Sequence, residues 1–410
     1  MQAAKAITSK TQYFLEKEEL YGAHNYHPLP VVLTKGKGVF VWDVDDRRYY
    51  DFLSGYSAIN QGHCHPRIIE TFIEQAQRLT LTSRAFHNDL LGEYAEFITK
   101  FFGYDKVLPM NTGVEAVETG LKLARRWGYE VKGVHKNKAK IITCEHNFHG
   151  RTISVISFSS DESSKKDFGP FTPGFEVIPY NDIPALQTAL QDPNVVGFLV
   201  EPIQGEAGVI VPDEGYLAKA AAMCKEANVL FIADEIQTGL ARTGKMLACE
   251  HENVRPDILL LGKALSGGTM PVSAVLADDE IMLTIKPGDH GSTYGGNPIA
   301  CKVAITALQV LVDEKMAENS LTQGDHFRKE LIALGHEHIP IVRGKGLFNA
   351  IVIDHPQKDT AWDICIEMKQ NGLLAKPTHG DRIRFAPPLL ITRAQIDECI
   401  GIIKKSMTNF

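Results

Sequence analysis

Six short apolar runs recur along the chain with little polar alternation inside them: KVLPMN (106–111), KIITCE (140–145), VVGFLVEP (195–202), VLFIADE (229–235), DILLLGK (257–263) and PVSAVLA (271–277). A strand that is apolar on both faces has to be covered on both faces. Amphipathic stretches lie between several of the runs, among them GVEAVETGLKLARRWGYE (113–130) and EGYLAKAAAMCKEAN (214–228). Strands alternating with such helices predict an α/β fold, a mainly parallel sheet with helices on both of its faces. We place this large domain at residues 50–300. The chain of 410 residues is long enough for a second domain. A smaller α+β domain is expected from both chain ends, residues 1–49 and 301–410. Its signals are a hairpin in GVFVWDVDDRRYYDF (38–52) with Asp45-Asp46 at the turn, a helical pattern from Asn297, and strand-like GKGLFNAIVID (344–354) and GLLAKPTHGDRIRFAPPL (372–389).

Charge and cysteine content narrow the class. A formal net charge of −7 argues against a nucleic-acid footprint. The seven cysteines are scattered and form no C-x-x-C pair, which fits reduced thiols. No apolar stretch approaches the roughly 18 residues of a membrane span. The N-terminal MQAAKAITSKTQYFLEKEEL has no signal-peptide apolar core and no arginine. These features predict a cytoplasmic protein, with the mitochondrial matrix as the alternative if a presequence was removed.

In open parallel sheets, ligands bind outside the carboxyl ends of the strands. That rule brings Asn111, Glu201, Asp234 and Lys263 to one edge, each just past a predicted strand. Lys263 is the most telling of them: VRPDILLLGKALSGG (254–268) puts an amine at the end of a buried strand and surrounds it with small residues. Alone, it fits better a lysine that snorkels to water. An amine that condenses reversibly with an aldehyde can hold pyridoxal phosphate, and that cofactor needs a carboxylate facing its ring nitrogen. Asp234, in FIADEIQTG, meets the need, although it also fits a cap on a following helix. Thr112, Gly113 and Val114, in MNTGVEAVETG, offer backbone N–H groups to a phosphate where a helix should start; an ordinary strand–helix turn is the alternative. In NFHGRT (147–152), Phe148 can cover a flat ring and Arg151 can grip a carboxylate, while Phe148 also fits the core. No P-loop pattern is present, and RGKGLFNA precedes a strand instead of following one, so nucleotide binding is disfavoured. GHCHP (62–66) has poor spacing for a metal site, and no metal is expected.

The motifs NTGVEA, NFHGRT, EPIQGEAGV, FIADEIQTGLARTGK, LLGKALSGG and GSTYGGNP together resemble the class III aminotransferases, which use pyridoxal phosphate on the type I fold. YGAHNYHPLPV (21–31), QGHCHP, LTSRAFHND (81–89) and GLLAKPTHGDRIRFAPPL are similar to the ornithine aminotransferase branch of that family. The resemblance implies transfer of the δ-amino group of L-ornithine to 2-oxoglutarate by a ping-pong mechanism. It implies that Lys263 bonds the cofactor and shuttles a proton, that Asp234 faces the ring nitrogen, and that Gln237 binds the phenolic oxygen. Phe148 would stack on the ring, and Thr112, Gly113 and Val114 would hold the phosphate. Ser292 and Thr293 would reach the phosphate from a second subunit, implying a homodimer with shared active sites. Arg151 and Tyr26 would bind the far end of ornithine, and Tyr56 would be a further substrate-binding residue. Arg384 would bind the α-carboxylate of glutamate or 2-oxoglutarate, and Glu206 would pair with Arg384 while ornithine is bound. The alternatives are another ω-aminotransferase (acetylornithine, γ-aminobutyrate or lysine as donor), an aminomutase or decarboxylase on the same scaffold, and a non-enzymatic binding protein.

Overall fold

The computed structural model of the chain describes residues 9–410. The first eight residues, part of the stretch read above for targeting signals, lie outside the described residues. Its centre is a seven-stranded sheet in the order Lys106–Met110, Ser273–Ala277, Ile258–Leu261, Leu230–Asp234, Val195–Val200, Lys140–Cys144 and Phe175–Ile178. Every residue of Val195–Val200, Leu230–Asp234, Ile258–Leu261 and Ser273–Ala277 is buried, as continuous apolar runs require.

Six strands point the same way, and Ser273–Ala277 runs antiparallel to both of its neighbours. This refines the expectation of a mainly parallel sheet. Two reversals in succession leave Lys106–Met110 pointing the same way as Ile258–Leu261, so Asn111 and Lys263 emerge at one edge. The sequence reading omitted Phe175–Ile178, a short edge strand with only its last residue buried.

The helix Gly113–Glu130 shows how closely the layers pack. Its buried face carries Ala116, Val117, Gly120, Leu121, Leu123, Ala124 and Trp127, the spacing of one helical stripe. A Cβ on Gly128 would overlap the Val196 side chain, so glycine lets the helix lie directly on the sheet.

Two four-stranded sheets flank this unit. One orders Leu33–Lys37, Phe40–Asp43, Arg48–Asp51 and Leu373–Leu374, the last joined in parallel through Tyr50 and Leu373. Its hairpin turns at residues 44–47 with Asp46 left-handed (φ 62°) and the Asp43 carboxylate accepting the Asp45 and Arg47 N–H groups. The other orders Ile341–Lys345, Phe348–Val352, Arg382–Phe385 and Lys376–Thr378. The helical pattern from Asn297 is two helices, Pro298–Asp313 and Met316–Ala333; the Asn297 side chain caps the first. No helix among the described residues is long and apolar enough to cross a membrane. All seven cysteines are free thiols, and six of them are buried.

Candidate active site

Lys263 leaves its strand in left-handed backbone, with φ 45°, a conformation costing roughly 1–2 kcal/mol for a residue with a Cβ. Gly262 before it would bring a Cβ against the Ile236 side chain. The amine is half-buried, and burial pushes its pKa down while Glu206, Asp234 and Glu201 pull the other way; the net shift is downward. A snorkelling lysine would sit in water at its ordinary pKa. This one does neither.

Asp234 ends the adjacent strand and is buried. No helix follows it, so the capping alternative falls away: Oδ1 accepts the Ile236 N–H at 3.2 Å in a tight turn. Oδ2 lies 2.6 Å from His149 Nδ1. Glu201, one strand further, accepts the Phe148 N–H at 2.9 Å and the Gly205 N–H at 3.2 Å, tying two loops of the site together. Burial in this apolar edge, with Asp234 nearby, pushes the Glu201 pKa up to about 7.

Asn111 and Thr112 begin the long helix with a capping box. Thr112 Oγ1 accepts the Glu115 N–H at 3.4 Å, and Glu115 accepts the Thr112 N–H at 2.7 Å. Both polar groups of Thr112 are therefore engaged within the box. The N–H groups of Gly113 and Val114 occupy the first turn, where no intrahelical acceptor exists. Gly150 (φ 130°) lets the NFHGRT loop pass against Val114, where a Cβ would overlap its side chain.

The end of the site that holds Arg384 draws on all parts of the chain. Arg384 is buried, and its Nη1 donates to Glu206 Oε1 at 2.6 Å. Its Nε is buried without a partner among the described residues. Burial pushes the Glu206 carboxyl up, but Arg384 outweighs it and holds the pKa below the usual range. Tyr56 lies with its ring 5.2 Å from the Arg384 guanidinium, inside four consecutive left-handed residues, Ser54 to Ser57. Gln237 Nε2 reaches the Tyr56 carbonyl at 3.3 Å and Glu206 Oε1 at 3.5 Å.

A cavity of about 340 Å³ lies among these groups, within the range of small-molecule sites. Lys263, Asp234, Gln237, Gly113, Val114, Phe148 and Arg151 line it, as do His149 and Glu201. A second chamber of about 480 Å³ shares residues 148–151 and is bounded by Glu206, Thr378 and His379. Phe148 is half-buried at the cavity wall, outside the hydrophobic clusters, and the exposed Arg151 guanidinium lies 5.2 Å from its ring. Tyr26 is 73% exposed and lines neither chamber; Lys376 Nζ lies 5.9 Å from its ring. Ser292 and Thr293 line neither chamber of their own chain; Ser292 Oγ accepts from Asn111 Nδ2 at 2.7 Å. The histidines of GHCHP go to separate carboxylates, His63 to Asp51 and His65 to Glu314. The sequence reading gave His149 no role, although it stands inside the quoted NFHGRT; a polar ring directly beside a strand-end glycine loop was the available signal.

The rat "Ornithine aminotransferase, mitochondrial" is 64% identical, covering 100% of this chain and 94% of its own length. A solved structure of the Toxoplasma gondii ornithine aminotransferase, described with partial occupancy of PLP at its active site, superposes with a TM-score of 0.96 at 50% identity, over 98% of this chain and 95% of that one. The solved acetylornithine aminotransferase from Elizabethkingia anophelis gives a TM-score of 0.90 at 58% identity, over 98% and 100%. The profile of the family "Aminotransferase class-III" matches residues 21–407, nearly the whole chain, and the chain belongs to that family.

Proposed function

We propose that this chain transfers the δ-amino group of L-ornithine to 2-oxoglutarate in two half-reactions with pyridoxal 5′-phosphate as cofactor. The products are glutamate 5-semialdehyde, which cyclises to pyrroline-5-carboxylate, and L-glutamate. The residues present fit the cofactor. Lys263 offers an amine of depressed pKa, and Asp234 offers a buried carboxylate one strand away. Gly113 and Val114 offer free N–H groups at a helix start. Phe148 and Gln237 line the space between.

When bound, pyridoxal phosphate supplies an aldehyde that bonds an amine and a ring that draws electrons from the adjoining carbon. Asp234, ionised, holds a proton on the ring nitrogen. Lys263 would take a proton from the substrate carbon that bears the amine and return it to the carbon on the other side of that nitrogen, work for which an amine of lowered pKa is suited. Arg151, exposed at the mouth, holds the distant carboxylate of ornithine, and Tyr26 completes that end, while Tyr56 stands beside Arg384.

The observation that carries this reading is the 2.6 Å pair between Arg384 and Glu206. Ornithine enters amine first and offers no carboxylate to Arg384, so Glu206 neutralises a cation that would otherwise lie buried and unpaired. 2-Oxoglutarate brings a carboxylate, which displaces Glu206. One side of Arg384 remains free for it.

A second reading, N-acetylornithine as donor, is favoured by the 58% identity to the Elizabethkingia anophelis enzyme. Spectra of the holoenzyme decide. L-Ornithine alone should bleach the cofactor's visible band and release pyrroline-5-carboxylate, and added 2-oxoglutarate should restore the band and release glutamate. A response to N-acetylornithine but not to ornithine would establish the second reading instead.

We read residues 50–300 as the cofactor-holding domain and residues 1–49 with 301–410 as the one that carries Arg384. A homodimer completes the phosphate site through Ser292 and Thr293; exposed Phe86 and Tyr294, 73% and 59% accessible, support a covered face. The word mitochondrial in the rat relative's name supports the matrix over the cytoplasm.

A further inference from the structure

Asp234 has both carboxylate oxygens engaged by its own chain, Oδ1 by the Ile236 N–H and Oδ2 by His149 Nδ1 at 2.6 Å. An ionised carboxylate only accepts, so Nδ1 carries the hydrogen. The His149 side chain is 1% exposed, and its ring is tilted against Phe158 at 5.8 Å between centroids. Nε2 has no partner among the described residues. A purely packing role beside Phe158 would be filled by an apolar ring without desolvating that second nitrogen. The charged groups that face the imidazole are Asp234 at the end of its strand and Glu201 at the end of the next. Burial pushes the imidazole pKa down, but these two carboxylates outweigh it and hold it above its ordinary value.

We infer that His149 is a positioning residue for the transfer reaction: its Nδ1–H pins the Asp234 carboxylate in the rotamer that faces the cofactor's ring nitrogen. This rests on the reading of Asp234 as the ring-nitrogen partner. Without the donor, the carboxylate is free to turn away from that direction. The ring nitrogen then loses its counter-charge.

The test compares H149F, H149N and D234N holoenzymes. Phenylalanine keeps the ring and removes the donor, and asparagine sets an N–H donor near the place of Nδ1. Two readouts are followed: the dissociation constant of pyridoxal phosphate, and the pH midpoint at which the bound cofactor's visible band converts. H149F should bind the cofactor about ten-fold more weakly or worse, the loss of one hydrogen bond to a charged group, and should shift the midpoint. H149N should stay close to wild type on both. Unchanged values in H149F beside altered ones in D234N would overturn the inference, as would an H149N as impaired as H149F. Unchanged values in D234N would instead overturn the reading of Asp234. If H149F does not fold, H149N decides: near-wild-type values support the inference, and a ten-fold loss overturns it.

Discussion

Asp234 and Lys263 stand at the ends of adjacent parallel strands, whereas Glu206, Arg384 and Tyr56 come from a loop, a strand of another sheet and a left-handed turn. At the cofactor end, Asp234 is fixed by bonds to its own chain at 2.6 and 3.2 Å, and the strands beneath are fully buried. At the substrate end, Arg384 is buried but only partly engaged, and the Glu206 side chain keeps 24% of its surface open. Chemistry that is the same in both half-reactions is built on strands. The part that must accept two different substrates is built where a side chain can move.

The largest effect expected tests the rigid end. Lys263→Ala should abolish turnover and the visible absorbance of the holoenzyme, because no other lysine lines either chamber. Mapping the borohydride-reduced cofactor by mass spectrometry to a different lysine would displace the site altogether.

A smaller loss is expected at Tyr26. Tyr26→Phe removes a hydroxyl and leaves the ring, and Tyr26 is too exposed for packing to depend on it. If the hydroxyl receives ornithine's α-ammonium, kcat/KM for ornithine should fall about ten-fold or more, in line with roughly 1.5–3 kcal/mol for a hydrogen bond to a charged group. γ-Aminobutyrate lacks that ammonium, so its kcat/KM should barely move. Equal losses on both substrates would remove Tyr26 from specificity.

The smallest effect separates Thr112 from its neighbours. Its hydroxyl caps the helix, so Thr112→Ala should lower stability by about 1 kcal/mol in a denaturant titration. Cofactor affinity should stay nearly unchanged, since the Gly113 and Val114 N–H groups remain. A loss of affinity without a loss of stability would return Thr112 to the phosphate site.

Much of the rigid end was legible in the sequence, because a strand apolar on both faces announces its layer and the strand-end rule then places Asp234 and Lys263 together. The direction of Ser273–Ala277 was not legible, since an apolar run carries no sign of its orientation. Phe175–Ile178 escaped notice because an edge strand of four residues buries too little to stand out. The substrate end was legible only through family resemblance: Glu206 and Arg384 are 178 positions apart, and no local pattern pairs them. His149 lay in plain view within NFHGRT, but its partner is 85 positions away and nothing nearby says where the ring points.

The claim that one ion pair lets one pocket serve two substrates is tested most directly by the single-turnover rate of Glu206→Ala with L-glutamate, measured beside ornithine. Removing one partner of a buried pair leaves an uncompensated charge, a cost of about 3–5 kcal/mol, and glutamate's carboxylate relieves it. The rate with glutamate should rise about ten-fold or more while the preference for ornithine narrows. A glutamate rate that is unchanged or lower in this variant would contradict the account.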